Sequence, residues 1–324
     1  MIGDPFEALA PEQRALLREA PRPDWVEPMK ATLTGARFSD PNWIFERKLD
    51  GIRCVAARGD DGVRLLSRND LSLDGRFPEL VTHLVEHETG SWVIDGEVVA
   101  FAGSATSFGR LTQRHRGRPV PVFYYVFDVL WLQGRDTTAL PQRARKALLR
   151  RTLAFRGSVR YTPHRNRDGE AFYSEACASG WEGLIAKRAD APYRSGRSRD
   201  WLKLKCDAEQ ELVVGGFTAP QGSREVLGAL LVGHYEDGAL RYAGKVGTGF
   251  TRDTLRRLAS RLHPVEASPF ADPVREPRVT WVAPELVAQI GFSEWTRDGR
   301  LRHPRFLGLR DDKPAREVVR EVPA

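Results

Sequence analysis

Apolar and polar positions alternate along much of the chain, and this pattern predicts many short strands and few helices. Strands are predicted in three runs within residues 43–68, and over residues 92–101, 121–132, 179–188 and 200–206. Helices are predicted over residues 11–19, in the turns that follow Pro78, and over residues 141–155, where the helix is basic and amphipathic. This mixture is typical of an α+β domain with antiparallel strands around a pocket.

The pattern changes after Cys206. Gly-rich turns join strands predicted over residues 211–218, 227–235, 239–246 and 278–292, and one helix is predicted over residues 251–262. Several short strands with a single helix favour a small β-barrel such as an OB-fold. The sequence is therefore divided into an N-terminal extension (1–27), a first domain (28–206) and a second domain (207–324).

The amino-acid composition restricts the possible functions of the chain less than it restricts the possible folds. The 324 residues are 41% hydrophobic and 29% charged, with a formal net charge of +7. That basic balance fits either a polyanionic partner or an ordinary solvated surface, and charge alone leaves both open. Three cysteines without a CxxC pair argue against a structural zinc site, and their sparse, odd count is typical of a reducing cytoplasm. We find neither a signal peptide nor a run of ~18 apolar residues, so a cytoplasmic chain outside the membrane is expected.

Charged residues placed inside apolar strands indicate chemistry. Lys48 lies between apolar strand residues and is followed by Asp50-Gly51 and Arg53. Carboxylates inside a strand are costly unless they bind something. Such acids occur as Asp95 and Glu97, and again as Glu182, which precedes Lys187. In the strand that carries Lys203 and Lys205, period-two spacing sends both lysines to one face and Leu202 and Leu204 to the other.

These segments, taken in order, carry a family resemblance. They are KLDGIR (48–53), SRND (67–70), DGE (95–97), FD (127–128), EGLIAK (182–187), LKLK (202–205) and RHPRFLGLRDDK (302–313). The set resembles motifs I, Ia, III, IIIa, IV, V and VI of the covalent nucleotidyltransferases, and within them the ATP-dependent DNA ligases. It is most similar to the ligase module of bacterial non-homologous end-joining ligases, from about Pro28 to Val319. The resemblance implies an α+β nucleotidyltransferase (adenylation) domain with antiparallel sheets, followed by an OB-fold domain.

The sequence departs from that family at two places. Motif Ia usually ends in Gly, whereas Asn69 is followed here by Asp70, a residue that can adopt the positive φ required. Only the 27 residues of the extension precede the similar region, so the grip on DNA is expected to come from the two domains themselves.

The resemblance also implies roles in nucleotidyl transfer. Lys48 is the nucleophile that forms a lysyl-AMP intermediate from ATP, and Asp50 orients the site. Lys203 and Lys205 hold the α-phosphate, and as cations they are expected to lower the pKa of Lys48. Glu182 is the first candidate ligand for Mg²⁺ or Mn²⁺, and Glu97 is the second.

Further roles concern the base, the nick and the leaving phosphates. Glu46 accepts a hydrogen bond from the amino group of adenine, Phe127 stacks on the base, and Lys187 contributes to the nucleotide site. Arg53 and Arg68 bind the 5′-phosphate of a nick, because arginine forks suit phosphate oxygens. The residues expected to orient the β- and γ-phosphates from the second domain are Arg310, Asp312 and Lys313.

The expected partner is nicked duplex DNA, bound by a bacterial-type monomer associated with the nucleoid. A Ku-like end-binding protein is a second candidate partner, and the sequence leaves open whether such a protein recruits this chain. Two other functions stay open at this point. An RNA ligase or a GTP-using capping enzyme shares the lysine motif, but Glu46 and the RxDK ending favour ATP. A non-catalytic OB-type nucleic-acid-binding protein would have no reason to keep Lys48, Glu182, Lys203 and Lys205 together.

Overall fold

Two compact units make up the chain, one ending at Cys206 and the other spanning Asp207–Val322. The computed structural model describes residues 4–113, 120–206, 208–220, 227–296 and 298–322. In these ranges no helix is both long and apolar enough to span a membrane.

The first unit contains five helices and fourteen strands among its described residues. The helices are α1 (Pro11–Arg14), α2 (Pro78–His87), α3 (Phe108–Gln113), α4 (Gln142–Thr152) and α5 (Gly169–Ala178). The strands are β1 (Arg18–Glu19), β2 (Met29–Leu33), β3 (Trp43–Arg47), β4 (Ile52–Gly59), β5 (Gly62–Ser67), β6 (Trp92–Val99), β7 (Phe101–Ala102), β8 (Ala105–Thr106), β9 (Phe123–Leu132), β10 (Arg135–Asp136), β11 (Val159–Tyr161), β12 (His164–Asn166), β13 (Gly183–Arg188) and β14 (Gly196–Lys205).

Two large sheets dominate this unit. The first has the order β1-β10-β9-β6-β4-β5, with β11 added beside β9, and the second has the order β12-β3-β13-β14-β2. Most pairs are antiparallel, as the sequence predicts, but β11 runs parallel to β9 and β2 runs parallel to β14. The remaining pair, β7 and β8, forms a two-stranded hairpin.

The strands of the first sheet are buried on both faces. Along β4, Cys54 and Ala56 pack with helices α2 and α4, whereas Val55 and Ala57 pack toward the second sheet. This explains why β4 reads as a continuous apolar run rather than as an alternating one. Helix α5 covers the opposite face of the second sheet, where Phe172 packs with Leu184 and its neighbours. The space between the two sheets therefore becomes the interior of the unit.

Among its described residues the second unit has a seven-stranded antiparallel sheet, a separate two-stranded pair (β21 and β22) and one α-helix. Its elements are β15 (Ala208–Thr218), β16 (Leu230–Glu236), β17 (Ala239–Val246), α6 (Arg252–Ala259), β18 (Pro264–Val265), β19 (Val279–Val282), β20 (Val287–Phe292), β21 (Glu294–Trp295), β22 (Leu301–Arg302) and β23 (Arg305–Arg310), followed by a 3-10 turn at Ala315–Glu317. The long strand β15 pairs with β16, β19 and β20, and β20 pairs with β23. In the described residues this sheet is not closed into a barrel.

Two predicted elements differ from the observed ones, and an observed helix is missing from the prediction. The helix predicted over residues 11–19 ends at Arg14, because Arg18–Glu19 pair with the distant strand β10. The single run predicted over 278–292 is divided into β19 and β20 by a turn that contains Pro284, a residue that cannot donate to a ladder. Helix α5 was not predicted.

The cysteines also differ from the expectation of a reducing environment that their sparse, odd count supported. Cys177, at the end of α5, and Cys206, just after β14, form a disulfide, while Cys54 is a buried free thiol. A sparse, odd number of cysteines therefore does not by itself describe the redox chemistry of this chain.

Candidate active site

Polar side chains gather between the two sheets of the first unit. Phe127 from β9 lies with its ring centre 6.0 Å from that of Trp201 on β14, so the two sheets meet face to face here. Leu202 and Leu204 pack on the outer face of the second sheet, as the period-two pattern predicts. Lys203 and Lys205 alternate with them and so lie on the same inner face as Trp201.

Lys48 directly follows β3 and forms an ion pair with Glu182, whose Oε1 lies 2.5 Å from its Nζ. The Lys48 amide also donates to the Gly183 carbonyl at 2.9 Å, which fixes the end of β3 beside the start of β13. Burial lowers the pKa of Lys48, but Glu182, then Asp50 and Glu97, outweigh burial and raise it above the ordinary value. These carboxylates act in the opposite direction to the lowering of the Lys48 pKa that is expected from Lys203, Lys205 and a bound metal ion.

Backbone contacts around Lys48 explain two glycines of the motifs. A Cβ on Gly51 would collide with the carbonyl oxygen of Val98 on β6. Gly183 has a φ of +143°, and a Cβ there would collide with the carbonyl oxygen of Leu204. These positions need glycine because two strands approach each other at van der Waals limits. The close approach carries Lys48 and Glu182 to the same point.

Asp50 acts on the loop that follows the β7–β8 hairpin. Its Oδ2 accepts from the amide of Phe108 at 2.8 Å, at the start of α3, and its own amide donates to Thr106 Oγ1 at 3.0 Å. Through these two bonds Asp50 fixes the chain immediately after Lys48. Asp50 is predicted to orient the site, and these two hydrogen bonds are the contacts by which it holds the chain in place.

Arg53 and Asp95 form a two-pronged ion pair across β4 and β6. Both Arg53–Asp95 hydrogen bonds measure 2.6 Å, and Tyr193 Oη donates to the same carboxylate at 2.7 Å. The Arg53 guanidinium also lies 4.7 Å from the centre of the Phe127 ring. Asp95, one of the two acids that looked costly inside a strand, is thus stabilised by an arginine and a tyrosine.

Glu46 is enclosed by two ammonium groups. Lys146 Nζ lies 2.7 Å from Oε1, and Lys187 Nζ lies 2.7 Å from Oε2. Burial disfavours the charged carboxylate, but the two lysines outweigh it and hold the pKa of Glu46 below its usual range. Burial also lowers the pKa of Lys187 to about 8. The same ammonium lies 4.3 Å from the centre of the Phe127 ring.

The Phe127 ring itself is nearly covered. Only 8% of the residue is exposed, and both Arg53 and Lys187 place a cation over the ring. A purine can therefore stack on Phe127 only after a neighbouring side chain has moved.

Asp128, next to Phe127, forms a second buried ion pair. Arg145 on α4 donates to both of its oxygens, at 2.7 and 3.0 Å, and Gln142 donates at 3.0 Å. Gln142 in turn accepts from Trp201 Nε1 at 3.0 Å. Asp128 and Arg145 are both 0% exposed. This network holds α4, β9 and β14 together beside Phe127 and Trp201.

We expect Arg145→Met to reduce the free energy of unfolding of the first unit by about 3–5 kcal/mol, because it leaves Asp128 as an uncompensated buried charge. Urea unfolding followed by tryptophan fluorescence measures this. The exposed neighbour Arg143, whose guanidinium donates to the Pro41 carbonyl, is the control; Arg143→Met should change stability by about 0.5 kcal/mol at most. Equal effects of the two substitutions would contradict a special role for the buried pair.

The other candidate residues of this unit lie at its strands and turns. Glu97 lies on β6 opposite Arg53 in the register. Arg68 follows β5 at the motif Ia turn, where Asp70 has a φ of 58°, so Asp70 does adopt the positive φ expected of it.

In the second unit the C-terminal candidates form a charge cluster of their own. Arg310, at the end of β23, makes two 3.0 Å hydrogen bonds to Asp312. Lys313 and Arg310 both pair with Glu211 on β15, a residue that the sequence did not single out. The predicted phosphate-binding cations are thus held by carboxylates within their own unit.

Two family models match the chain: "ATP dependent DNA ligase domain" over residues 26–205, and "ATP dependent DNA ligase C terminal region" over residues 223–313. The first match alone covers more than half of the 324 residues. The chain belongs to the ATP-dependent DNA ligase family. The motifs predict a nucleotidyltransferase domain followed by an OB-fold domain. The two matches confirm this prediction of the fold class.

Similar proteins are found among the bacterial end-joining ligases. The "Multifunctional non-homologous end joining protein LigD" of Pseudomonas aeruginosa is 38% identical in an alignment 335 residues long. The alignment covers 98% of this chain and 40% of that protein. The "Multifunctional non-homologous end joining DNA repair protein LigD" of Mycobacterium tuberculosis strain H37Rv is 38% identical over 310 residues, which cover 92% and 40%. This ligase-family chain thus spans less than half the length of those relatives.

A solved structure described as "mycobacterial DNA ligase D complexed with ATP and MES" has a TM-score of 0.68 and 36% identity to this chain. The match covers 91% of this chain and 98% of that one. The likeness therefore extends over both compact units of this chain.

Sequence reasoning missed three residues of α4 that lie beside the candidate site. Gln142, Arg145 and Lys146 are spaced at i, i+3 and i+4, so they share one helix face, and all three are buried. Polar residues on the inner face of an amphipathic helix were the signal that could have found them.

Proposed function

We propose that this chain joins 5′-phosphate and 3′-hydroxyl ends at nicks in duplex DNA through a covalent Lys48–AMP intermediate. The observation that carries the proposal is the ion pair between Lys48 and Glu182 at 2.5 Å, with the buried carboxylate of Glu46 two residues before Lys48 in the chain. In this proposal Lys48 bonds to the phosphate of AMP and Glu46 accepts a hydrogen bond from its base. Family membership supports ATP as the nucleotide.

The first step forms a bond between Lys48 Nζ and the α-phosphorus of ATP, and the bond to pyrophosphate breaks. The amine must first lose a proton, since the ammonium form has no lone pair. Glu182 stabilises that ammonium in the free chain. Once the Glu182 carboxylate is engaged by another ligand, this stabilisation is lost and Lys48 becomes nucleophilic.

Lys203 and Lys205 are proposed to neutralise the α-phosphate during this attack. Both extend from β14 on the inner face of the second sheet, which also bears Trp201. Positioned cations lower the barrier of phosphoryl chemistry mainly through electrostatic stabilisation of the developing charge.

A divalent cation fits the donor set only together with substrate. In the described part of the chain, no group of three or more His, Cys, Asp and Glu side chains is suited to hold a metal ion. Glu182 and Glu97 both act electrostatically on Lys48, so one or both would share a metal with phosphate oxygens and water, an arrangement that Mg²⁺ accepts. Bound Mg²⁺ or Mn²⁺ would supply charge neutralisation at the phosphates.

The later steps transfer AMP to DNA. A 5′-phosphate oxygen of the nick attacks the AMP phosphorus and Lys48 leaves; the 3′-hydroxyl then attacks the 5′-phosphorus and AMP leaves. Arg53 and Arg68 are proposed to hold the 5′-phosphate. Since Arg53 already donates to Asp95, it would reach the phosphate with its remaining donors or by exchanging partners.

The biological setting proposed is DNA repair by end joining, because the similar proteins of Pseudomonas and Mycobacterium are described as non-homologous end joining proteins. A Ku-like end-binding partner, a monomeric state and a place on the nucleoid belong to this same proposal.

The proposal is tested by incubating the chain with α-labelled ATP or GTP, and then by supplying nicked DNA or nicked RNA. We expect label on the protein from ATP only, and sealing of nicked DNA. Label from GTP would favour a capping-type enzyme, and sealing of RNA alone would favour an RNA ligase. No label from either nucleotide would contradict catalysis.

Affinity for a nick should fall linearly with salt on a log–log scale, with a slope of about 0.9 per neutralised phosphate. Arg68→Ala should reduce that slope by about 1 if its guanidinium binds a phosphate. Fluorescence anisotropy with a nicked duplex at several salt concentrations measures both. Arg156, which already contacts His87, gives the control Arg156→Ala. A slope that Arg68→Ala leaves unchanged would remove Arg68 from the phosphate site.

A further inference from the structure

Lys146 is a fully enclosed ammonium group on α4, next to the buried Arg145, whereas the other charged residues of this helix are exposed. It is 1% exposed, lies 2.7 Å from Glu46, and donates to the carbonyl of Thr162 at 2.7 Å. Its ammonium also lies 4.2 Å from the centre of the Tyr161 ring. Lysine is almost never buried this completely without a specific partner. Here the partner is the carboxylate proposed to bind the base.

The two lysines around Glu46 have different surroundings. Lys187 comes from the adjacent strand β13 and lies over the rings of Phe127 and Trp201, at 4.3 and 4.0 Å. Lys146 comes from α4 and contacts Tyr161 and Thr162, which lie at and after β11. One ammonium therefore lies among the residues proposed to receive the base, and the other lies on the helix side of the carboxylate.

One ammonium would not fix the orientation of a carboxylate. A glutamate turns freely about its last torsion unless both oxygens are held, and each oxygen of Glu46 has its own lysine. When a base enters beside Phe127, Lys187 is the lysine that must adjust, because it already lies over that ring. Lys146 can stay in place and keep Glu46 ionised.

We propose that Lys146 is a positioning residue for base selection: it holds Glu46 as a fixed, ionised acceptor for the exocyclic amino group of adenine. The inference rests on the proposed function and deepens it. A guanine presents a carbonyl oxygen at the equivalent ring position, which would face the carboxylate with lone pairs opposed. A site built around a polar contact strongly rejects an analogue that lacks it.

The test compares ATP with purine riboside 5′-triphosphate, which lacks the amino group, in the rate of protein labelling. Wild type should prefer ATP by about 10-fold or more, the value of one hydrogen bond to a charged group. Lys146→Met should bring this ratio close to one and raise KM for ATP far more than it lowers kcat. Lys146→Arg, which keeps the charge, should restore part of the preference, and Arg143→Met on the exposed face of α4 should keep all of it.

A double-substitution cycle protects the test against loss of folding. In a Glu46→Gln background the acceptor charge is gone, so adding Lys146→Met should leave the base preference unchanged. If Lys146→Met alone keeps the wild-type preference for ATP, the positioning role is overturned. It is also overturned if adding Lys146→Met to Glu46→Gln lowers the preference for ATP below that of Glu46→Gln alone. If wild type forms no adduct with any nucleotide, the proposed function itself fails, and the inference fails with it.

Discussion

Lys48→Ala is expected to abolish the gain of one AMP in the intact mass of the chain after incubation with ATP and Mg²⁺, and with it the sealing of an ordinary nick. In the proposed reaction Lys48 supplies the atom to which AMP is bonded, so no neighbouring residue can substitute by charge alone. The variant should still seal a nick supplied already adenylated, because Lys48 has by then left the reaction. Mass spectrometry and a gel assay for sealing measure the two outcomes.

Loss of folding is the main alternative explanation for such a result, since the substitution leaves Glu182 without its lysine. Lys48→Arg keeps a cation at that point but has no nucleophilic amine at any accessible pH, so it should also lack the adduct. Lys30→Ala is the control, because Lys30 is an exposed lysine of β2 that pairs with Glu27. An AMP adduct on Lys48→Arg, or its loss on Lys30→Ala, would show that the nucleophile lies elsewhere.

Asp312→Ala and Lys313→Ala are expected to slow adenylation of Lys48 far more than sealing of a pre-adenylated nick. Only the first step involves the β- and γ-phosphates, so only that step should need the C-terminal cluster. Loss of one charge-assisted interaction is worth about 1.5–3 kcal/mol, which is about 10- to 150-fold in rate. Single-turnover measurements of the two steps separate them.

Asp311 provides a matched control for this prediction. It is adjacent to Asp312 in sequence, but its carboxylate pairs with Arg257 and Arg261 rather than with Arg310. Asp311→Ala should leave the ratio of the two rates close to that of wild type. Equal losses in both steps for Asp312→Ala would mean that the cluster serves the whole reaction, or only the stability of its own unit.

The parts of the site that the sequence predicts are those whose chemistry is local. Lys48 and Gly51 are recognisable from the letters of a single short motif, and Gly51 is required because a Cβ there would collide with the carbonyl oxygen of Val98. Leu202 and Leu204 are predicted to face away from the lysines between them because side chains in a strand alternate. Such rules act over a few residues, so the motif letters carry them.

The parts that the sequence did not predict depend on distant partners. Lys146 is separated from Glu46 by 100 positions, and its burial follows from how α4 packs on β9 and from the contacts of Lys146 with Tyr161 and Thr162. The raised pKa of Lys48 has the same origin, because its sign depends on whether Glu182 or the lysines of β14 lie closer. The disulfide between Cys177 and Cys206 likewise joins two elements that only the fold brings together.

Strand β2 has a practical consequence for anyone shortening this chain. Met29, at its start, is 0% exposed, its amide donates to Tyr193 Oη, and its carbonyl accepts from Arg53. Strand β2 also pairs along the free edge of β14, the strand that bears Lys203 and Lys205. A truncated fragment that begins at the lysine motif would leave the backbone of β14 as an unprotected edge, open to pairing between molecules and aggregation. The minimal fragment must therefore begin before Met29, even though the first recognisable motif lies well downstream of it.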